Sequence, residues 1–295
     1  MRILVAGGTG KVGREVVAGL NALGLAPRLL LRPGRPPVPG TETARGDLFD
    51  APSLAAACAG VDRLFLVTPL DPEETAAGLN AVAAARAAGV RRIVFLGIHN
   101  IEAGRHIPHF ATKLPVLAAL REAGPGWTVI EPNNFFQNDI DLFGAIGAGV
   151  YPQPLGALGL SRVDTRDIAA AAVRALLEDG FAGRCLPLVG PEVLNGAAVA
   201  ARYQAALGRP VAYAGDDLTR WNEAVRPLLP GWLRHDLSLM YGYFQARGLA
   251  ASDQDLAATR AVLGRPPRDL AGFIAGQQAS GALAEALERP VAAQA

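Results

Sequence analysis

Charge and sulfur are scarce in this chain of 295 residues. Lys and Arg total 28 against 27 Asp and Glu, a net charge of +1 with 19% of positions charged, so no basic stripe or tail favours a nucleic-acid partner. The two cysteines, Cys58 and Cys185, lie far apart and match neither a disulfide framework nor a metal-ligand spacing, so no metal is expected. The start "MRILVAGG" enters a strand-like run without a charged leader and a long apolar core behind it, which argues against a secretory signal and for a cytoplasmic location. Residues 142–161 carry no charge over a membrane-length window, but five glycines and two prolines argue for a buried loop region and against a spanning helix. Internal repeats, low-complexity linkers and charged tails are also missing from the sequence.

Against these absences stands a regular alternation of short apolar runs and amphipathic segments. "RILVAG" (2–7), "PRLLLR" (27–32), "RLFLVT" (63–68), "RIVFLG" (92–97), "WTVIEP" (127–132) and "CLPLVG" (185–190) are bounded by glycine, proline or charge. They read as strands buried on both faces, as a parallel sheet requires. Between the first two, Val12, Val16, Val17, Leu20 and Leu23 fall on one helical face, which Gly24 ends. Residues 71–89 predict a helix capped by Asp71 with Pro72 at its first position, and residues 164–180 predict another. Such βαβ units imply an α/β fold with a doubly wound parallel (Rossmann-type) sheet. Beyond about residue 190 the pattern turns helical, over 195–208, 233–248 and 255–264. The expected division is the sheet domain over 1–150, completed by a helix and strand at about 164–190, and a smaller, mostly helical C-terminal lobe over 191–295.

In "VAGGTGKVGREV" (5–16), Gly7, Gly10 and Gly13 stand at three-residue spacing between the first strand and the first helix. A helix N-terminus offers free N–H groups and partial positive charge to a phosphate, and glycines let the pyrophosphate approach the backbone. The spacing departs from the G-x-G-x-x-G fingerprint, so the strand-to-helix setting carries the assignment; a turn that only packs helix on strand is the alternative. Arg32 ends the second strand, Arg35 is close by, and no acid occurs between Glu15 and Glu42. Arginine there favours a ribose 2′-phosphate, hence NADP(H), where an acid would favour NAD. The alternative is that both arginines belong to a solvated proline-rich loop, "RPGRPPVPG" (32–40).

"GGTGKVG" (7–13), "ARGDLFDAPSLAAACAGVDRLFLVTP" (44–69), "AGVRRIVFLG" (88–97), "HFATKLPVLAALREAG" (109–124) and "WTVIEPNNFFQN" (127–138) together resemble the NmrA-like family of atypical short-chain dehydrogenases/reductases, and residues 163–213 extend the likeness. The resemblance implies a Rossmann-type domain, a mostly helical substrate lobe and NADP(H). It also implies that Thr9, Lys11 and Val12 support the pyrophosphate contacts of the glycines, that Asp47 and Leu48 contact adenine, and that Thr68 and Pro69 lie beside the cofactor. For Asp47 the alternative is a turn cap.

Typical members of the superfamily use serine, tyrosine and lysine. Here Gly97 and Ile98 stand where related sequences often have serines, and the Tyr-x-x-x-Lys position reads "HFATK", His109 to Lys113. A continuous helix would place His109 and Lys113 one turn apart on one face. Lys113 suits ribose and nicotinamide contacts, and His109 is a candidate general acid, with His99 the alternative and His106 nearby; a structural role is the competing reading for each histidine. Pro115 implies that this helix starts near Thr112 or kinks there. Glu131 stands where many relatives carry arginine. Asn133, Asn134, Phe135, Phe136 and Asn138 are expected to form a pocket wall or a packed loop. Trp221, Trp232, Tyr241, Tyr243 and Phe244 suit a flat ligand or a helical core.

Two functional readings result. One is an NADPH-dependent oxidoreductase acting on a quinone or aromatic carbonyl compound, such as a tailoring step on an aromatic polyketide. The other is a non-catalytic NADP(H) redox sensor that regulates a partner protein. A small aromatic or quinone-like substrate is the expected partner, with no nucleic acid and no membrane; a homodimer is compatible with either reading.

Overall fold

A computed structural model describes residues 1–124 and 126–288. Its chain begins with β1 (Ile3–Ala6), α1 (Gly13–Ala22), β2 (Arg28–Leu31), β3 (Glu42–Arg45), α2 (Ala51–Cys58), β4 (Arg63–Leu66) and α3 (Glu74–Ala87). It continues with β5 (Arg92–Leu96), α4 (Pro108–Ala111), α5 (Leu114–Glu122) and β6 (Trp127–Pro132), then α6 (Phe143–Gly147), β7 (Val150–Tyr151), α7 (Thr165–Leu177) and β8 (Arg184–Leu188). The remainder is α8 (Gly196–Leu207), β9 (Ala212–Tyr213), α9 (Leu218–Ala224), α10 (Gly231–Arg247), α11 (Asp253–Leu263), α12 (Leu270–Ala279) and α13 (Ala282–Glu288). Two compact units result: Met1–Pro132 with Thr165–Leu188, and Asn133–Asp164 with the chain from Val189 on. The boundary therefore falls after Pro132, earlier than the expected 150.

The first unit is a seven-stranded parallel sheet of order β3-β2-β1-β4-β5-β6-β8. All four residues of β1 and all five of β5 are buried, which is why these strands read as unbroken apolar runs. β3, "ETAR", has an exposed edge and no apolar run, so hydrophobic patterning misses it; Arg28 of β2 anchors it through Glu42 at 2.8 Å. α1 and α7 pack together over one face, and α2, α3 and α5 line up over the other. On α1, Val12, Val16, Val17 and Leu20 are buried as expected, but Leu23 is 59% exposed beyond the last turn. The strand-initial arginines serve α7: Arg92 donates to the Ala175 carbonyl at 3.0 Å and Arg63 to that of Leu176, satisfying carbonyls at the helix end where positive charge is favoured. The order reverses between β1 and β4, so their carboxyl ends flank a topological switch point.

The second unit is helical apart from the parallel pair β7 and β9. Asn195 caps α8, Asp269 caps α12, and Ser252 with Asp255 forms a capping box on α11. Its centre is Arg162, which is fully buried and donates from Nη1 and Nη2 to the equally buried Asp139 at 3.0 and 2.8 Å. Asn134 Oδ1, the Phe135 carbonyl and the Tyr151 hydroxyl accept its remaining donors at 3.0, 2.8 and 3.2 Å, while Tyr203 donates to Asp139 at 3.1 Å. Burial pulls the Arg162 guanidinium down, but Asp139 and Tyr151 more than reverse this, so its pKa is raised. The group stays charged because its compensation is complete.

Candidate functional site

The loop after β1 is shaped by contacts that no side chain can share. Gly7 has φ +82°, and a Cβ on it would meet Val67 Cβ at 2.8 Å. A Cβ on Gly13 would lie 2.1 Å from the Gly7 carbonyl oxygen, so the start of α1 is pressed onto the loop. Gly8, which the three-residue spacing passes over, has its own constraint: its Cβ would fall 2.0 Å from Leu29 Cδ1. Gly10 differs, because its Cβ would approach only the Gly7 oxygen, at 3.3 Å, leaving open space on its other side. No side chain caps α1. An uncapped helix start with an open glycine above it is the arrangement that receives a phosphate. Thr9 and Gly10 are exposed, Lys11 is half-buried, and the Val12 side chain is in the core, so Val12 offers backbone only.

Across the switch point, Thr68 follows β4 one residue beyond the Val67 that abuts Gly7. Its hydroxyl joins a buried cluster. Lys113 Nζ donates to Thr68 Oγ1 at 2.9 Å and to Glu74 Oε1 at 2.5 Å, and Thr68 itself donates to Glu74 Oε1. Thr112 donates to Glu74 Oε2 at 2.7 Å. Lys113 also sits over the Phe95 ring, 5.5 Å from its centroid. No continuous helix runs through His109 and Lys113; of the two alternatives that Pro115 left open, a helix start near Thr112 is the one found. α4 ends at Ala111, Lys113 caps α5, and Pro115 occupies the first turn of α5, where its missing N–H is harmless. The Lys113 amide therefore donates to the Phe110 carbonyl.

The predicted α3 start also moves. Asp71 makes a turn by accepting from the Glu73 amide at 2.8 Å, and the helix begins at Glu74. His109 is half-buried with its ring edge-on to Phe110 at 4.8 Å, His106 is exposed, and His99 is 2% exposed just after β5. A Cβ on Gly97 would meet Val129 Cγ1 at 2.8 Å, so a serine there requires Val129 to give way.

At the carboxyl ends of β2 and β3, Arg32 is exposed directly after β2. Arg45, at the end of β3, donates to the Arg35 carbonyl at 2.6 Å and reaches that of Arg32 at 3.5 Å, tying the proline-rich loop down. Asp47 is engaged locally, accepting from the Phe49 amide at 3.0 Å, which is the turn-cap alternative. The Leu48 carbonyl accepts from Asn80, and Pro69 is half-buried after Thr68. Glu131 lies beside Cys185 on the neighbouring strand and near Arg121; burial first, and then Glu131, push the Cys185 thiol up to about 11. Among the described residues no His, Cys, Asp and Glu cluster suits a metal, and no helix is long and apolar enough to cross a membrane.

The sequence pattern of the NmrA-like family matches residues 1–274. The chain belongs to the NmrA-like family. An NAD(P)H azoreductase of Xenophilus azovorans is 35% identical over 283 residues, covering 92% of this chain and 96% of the relative. A (4-alkanoyl-5-oxo-2,5-dihydrofuran-3-yl)methyl phosphate reductase of Streptomyces griseus is 37% identical over 218 residues, covering 72% and 76%. An NADPH-dependent quinone oxidoreductase of Escherichia coli, solved with NADPH, superposes with a TM-score of 0.82 over 94% of this chain and 99% of that chain; at 22% identity this is a likeness of fold.

In this NmrA-like chain, sequence reasoning missed Gly8, Arg45 and Glu74. Gly8 carried a signal in the doubled glycine, and Arg45 in its place just before "GDLF". Glu74 looked like one of several acids in a helix start. In the second unit, the packed-loop alternative for the run after β6 holds at Asn133 to Phe136: Asn134, Phe135 and Phe136 surround Arg162, and Asn133 donates to the Leu249 carbonyl at 2.8 Å. Of the aromatics, Phe244 and Tyr241 are buried, Trp221 meets Tyr241 edge-on at 5.0 Å, Tyr243 is half-buried and Trp232 is 42% exposed.

Proposed function

We propose that this chain is an NADPH-dependent reductase of a quinone or related aromatic compound. The observation that carries the reading is the uncapped start of α1 behind an open Gly10, at a switch point whose other side holds Lys113. The full-length likeness to an NAD(P)H azoreductase supports the cofactor and the aromatic substrate class. The residues present fit NADPH: Gly7, Gly10 and Gly13 with the amides of Thr9, Lys11 and Val12 for the pyrophosphate, and Arg32 on the loop braced by Arg45 for the 2′-phosphate. Asp47, Leu48, Thr68 and Pro69 complete its surroundings, and Lys113 serves the ribose and nicotinamide end. When bound, NADPH supplies a hydride. Reduction of a quinone to a hydroquinone consumes that hydride and one proton. His109, half-buried on α4, is the proposed proton donor and His99 its alternative, since histidine exchanges protons near neutral pH.

The test is NADPH oxidation by the purified chain over a panel of quinones and azo dyes. Substrate-dependent oxidation that Lys113→Ala abolishes while the fold survives is the expected result. Tight NADPH binding with no turnover across the panel would favour the redox-sensor reading.

A further inference from the structure

Glu74 is 1% exposed, yet every oxygen of its carboxylate is occupied by one cluster: Lys113 and Thr68 on Oε1, Thr112 on Oε2. The arrangement is built in from two sides. Thr75, the next residue, donates to the Thr112 carbonyl at 2.8 Å, so the first turn of α3 is clamped to the segment that carries Lys113. One turn on, Gly78 lets α3 approach, since a Cβ there would fall 2.4 Å from Val116 Cγ2 and 3.3 Å from Thr68 Cγ2. The carboxylate also sits at the positive end of α3. Lys113 has the Phe95 ring against it from β5 and His109 one turn before it on α4. In such a dry setting the Lys113 charge is poorly screened by water and is balanced by Glu74.

We propose that Glu74 is a positioning residue that neutralises Lys113 and thereby sets the balance between oxidised and reduced cofactor at this site. The inference rests on the reading that Lys113 meets the nicotinamide end of NADP(H). The oxidised ring carries a positive charge and the reduced ring does not. An uncompensated ammonium therefore penalises NADP+ alone, whereas a compensated one lets both forms bind. A residue that merely supported the fold would change both affinities together.

The experiment is titration of the full chain with NADPH and with NADP+, comparing wild type, Glu74→Gln, Lys113→Met and the double variant. Glu74→Gln is expected to raise the ratio of the NADP+ Kd to the NADPH Kd by about tenfold. Lys113→Met, which leaves the carboxylate uncompensated, shifts the ratio the opposite way by a similar factor, and the double variant returns it towards wild type. Lys113→Met also keeps the test decisive should Glu74→Gln not fold. An unchanged ratio in either folded single variant overturns the proposal, even if both affinities weaken. Failure of the wild type to bind either nucleotide overturns the cofactor reading itself, and this inference with it.

Discussion

Replacing Gly13 by alanine puts a Cβ 2.1 Å from the Gly7 carbonyl oxygen, 2.6 Å from Gly8 Cα and 2.7 Å from the Gly7 carbonyl carbon. All three are backbone atoms, so no side chain can swing aside; α1 and the loop must separate by roughly 1 Å or more before contacts become normal. Overpacking of this kind costs ~1–3 kcal/mol, and the rigidity of these atoms places Gly13→Ala at the upper end. At about 2–4 °C per kcal/mol, Tm should fall by about 6–12 °C. The same movement misdirects the amides at the start of α1, so the NADPH Kd should rise at least about tenfold. Gly10→Ala is the control. Its Cβ meets only the Gly7 oxygen at 3.3 Å, and its φ lies outside the positive region. The new methyl enters the space through which a pyrophosphate approaches. Tm should therefore change by no more than about 2 °C, while NADPH affinity still falls. Thermal unfolding followed by circular dichroism and NADPH fluorescence titration report the two quantities. An unchanged Tm in Gly13→Ala, or equal losses in both variants, would refute the contact argument.

Four further outcomes are expected. Arg162→Met leaves the fully buried Asp139 without its cation and should destabilise the protein by ~3–5 kcal/mol in urea unfolding; a loss below about 1 kcal/mol would mean that water or another donor replaces it. With its pKa pushed up to about 11 by burial and Glu131, Cys185 is ionised at pH 8 in roughly one molecule in a thousand, so it should react slowly with a disulfide reagent and faster as pH rises. Glu131→Gln removes one cause of the upward shift and should speed that reaction at fixed pH; an equal or slower rate counts against the assigned contact. Arg32→Ala should weaken NADPH binding and leave NADH binding unchanged, and equal loss of both would remove Arg32 from the 2′-phosphate.

Six of the seven sheet strands were legible as apolar runs, five of them because both faces are largely buried; β8, at the sheet edge, fully buries only Leu186 and Leu188 but keeps an apolar sequence. β3 was not legible, since this edge strand, paired on one side, carries its pattern in polar residues such as Glu42. The start of α3 was misplaced by two residues because Asp71 and Pro72 suit a turn as well as a cap, and only the Asp71 contact with the Glu73 amide decides between them. Asp47 posed the same ambiguity, and its Oδ1 accepts from the Phe49 amide in a local turn. The aromatic and polar run after β6 could be read as a pocket wall because its organiser, Arg162, lies 23 residues from Asp139 and gives no local signal.

By itself, the sequence determined the parallel sheet, the glycine loop and its attachment to α1, because periodicity, close approach and positive φ are properties of a few neighbouring residues. Tertiary structure alone decided what Lys113 does with its charge. Glu74 is 39 residues away and becomes its partner only because Lys113, in the interruption between α4 and α5, meets the start of α3. A buried ion pair depends on which elements the topology brings together and on the water they exclude, and neither is written in the spacing of "HFATK".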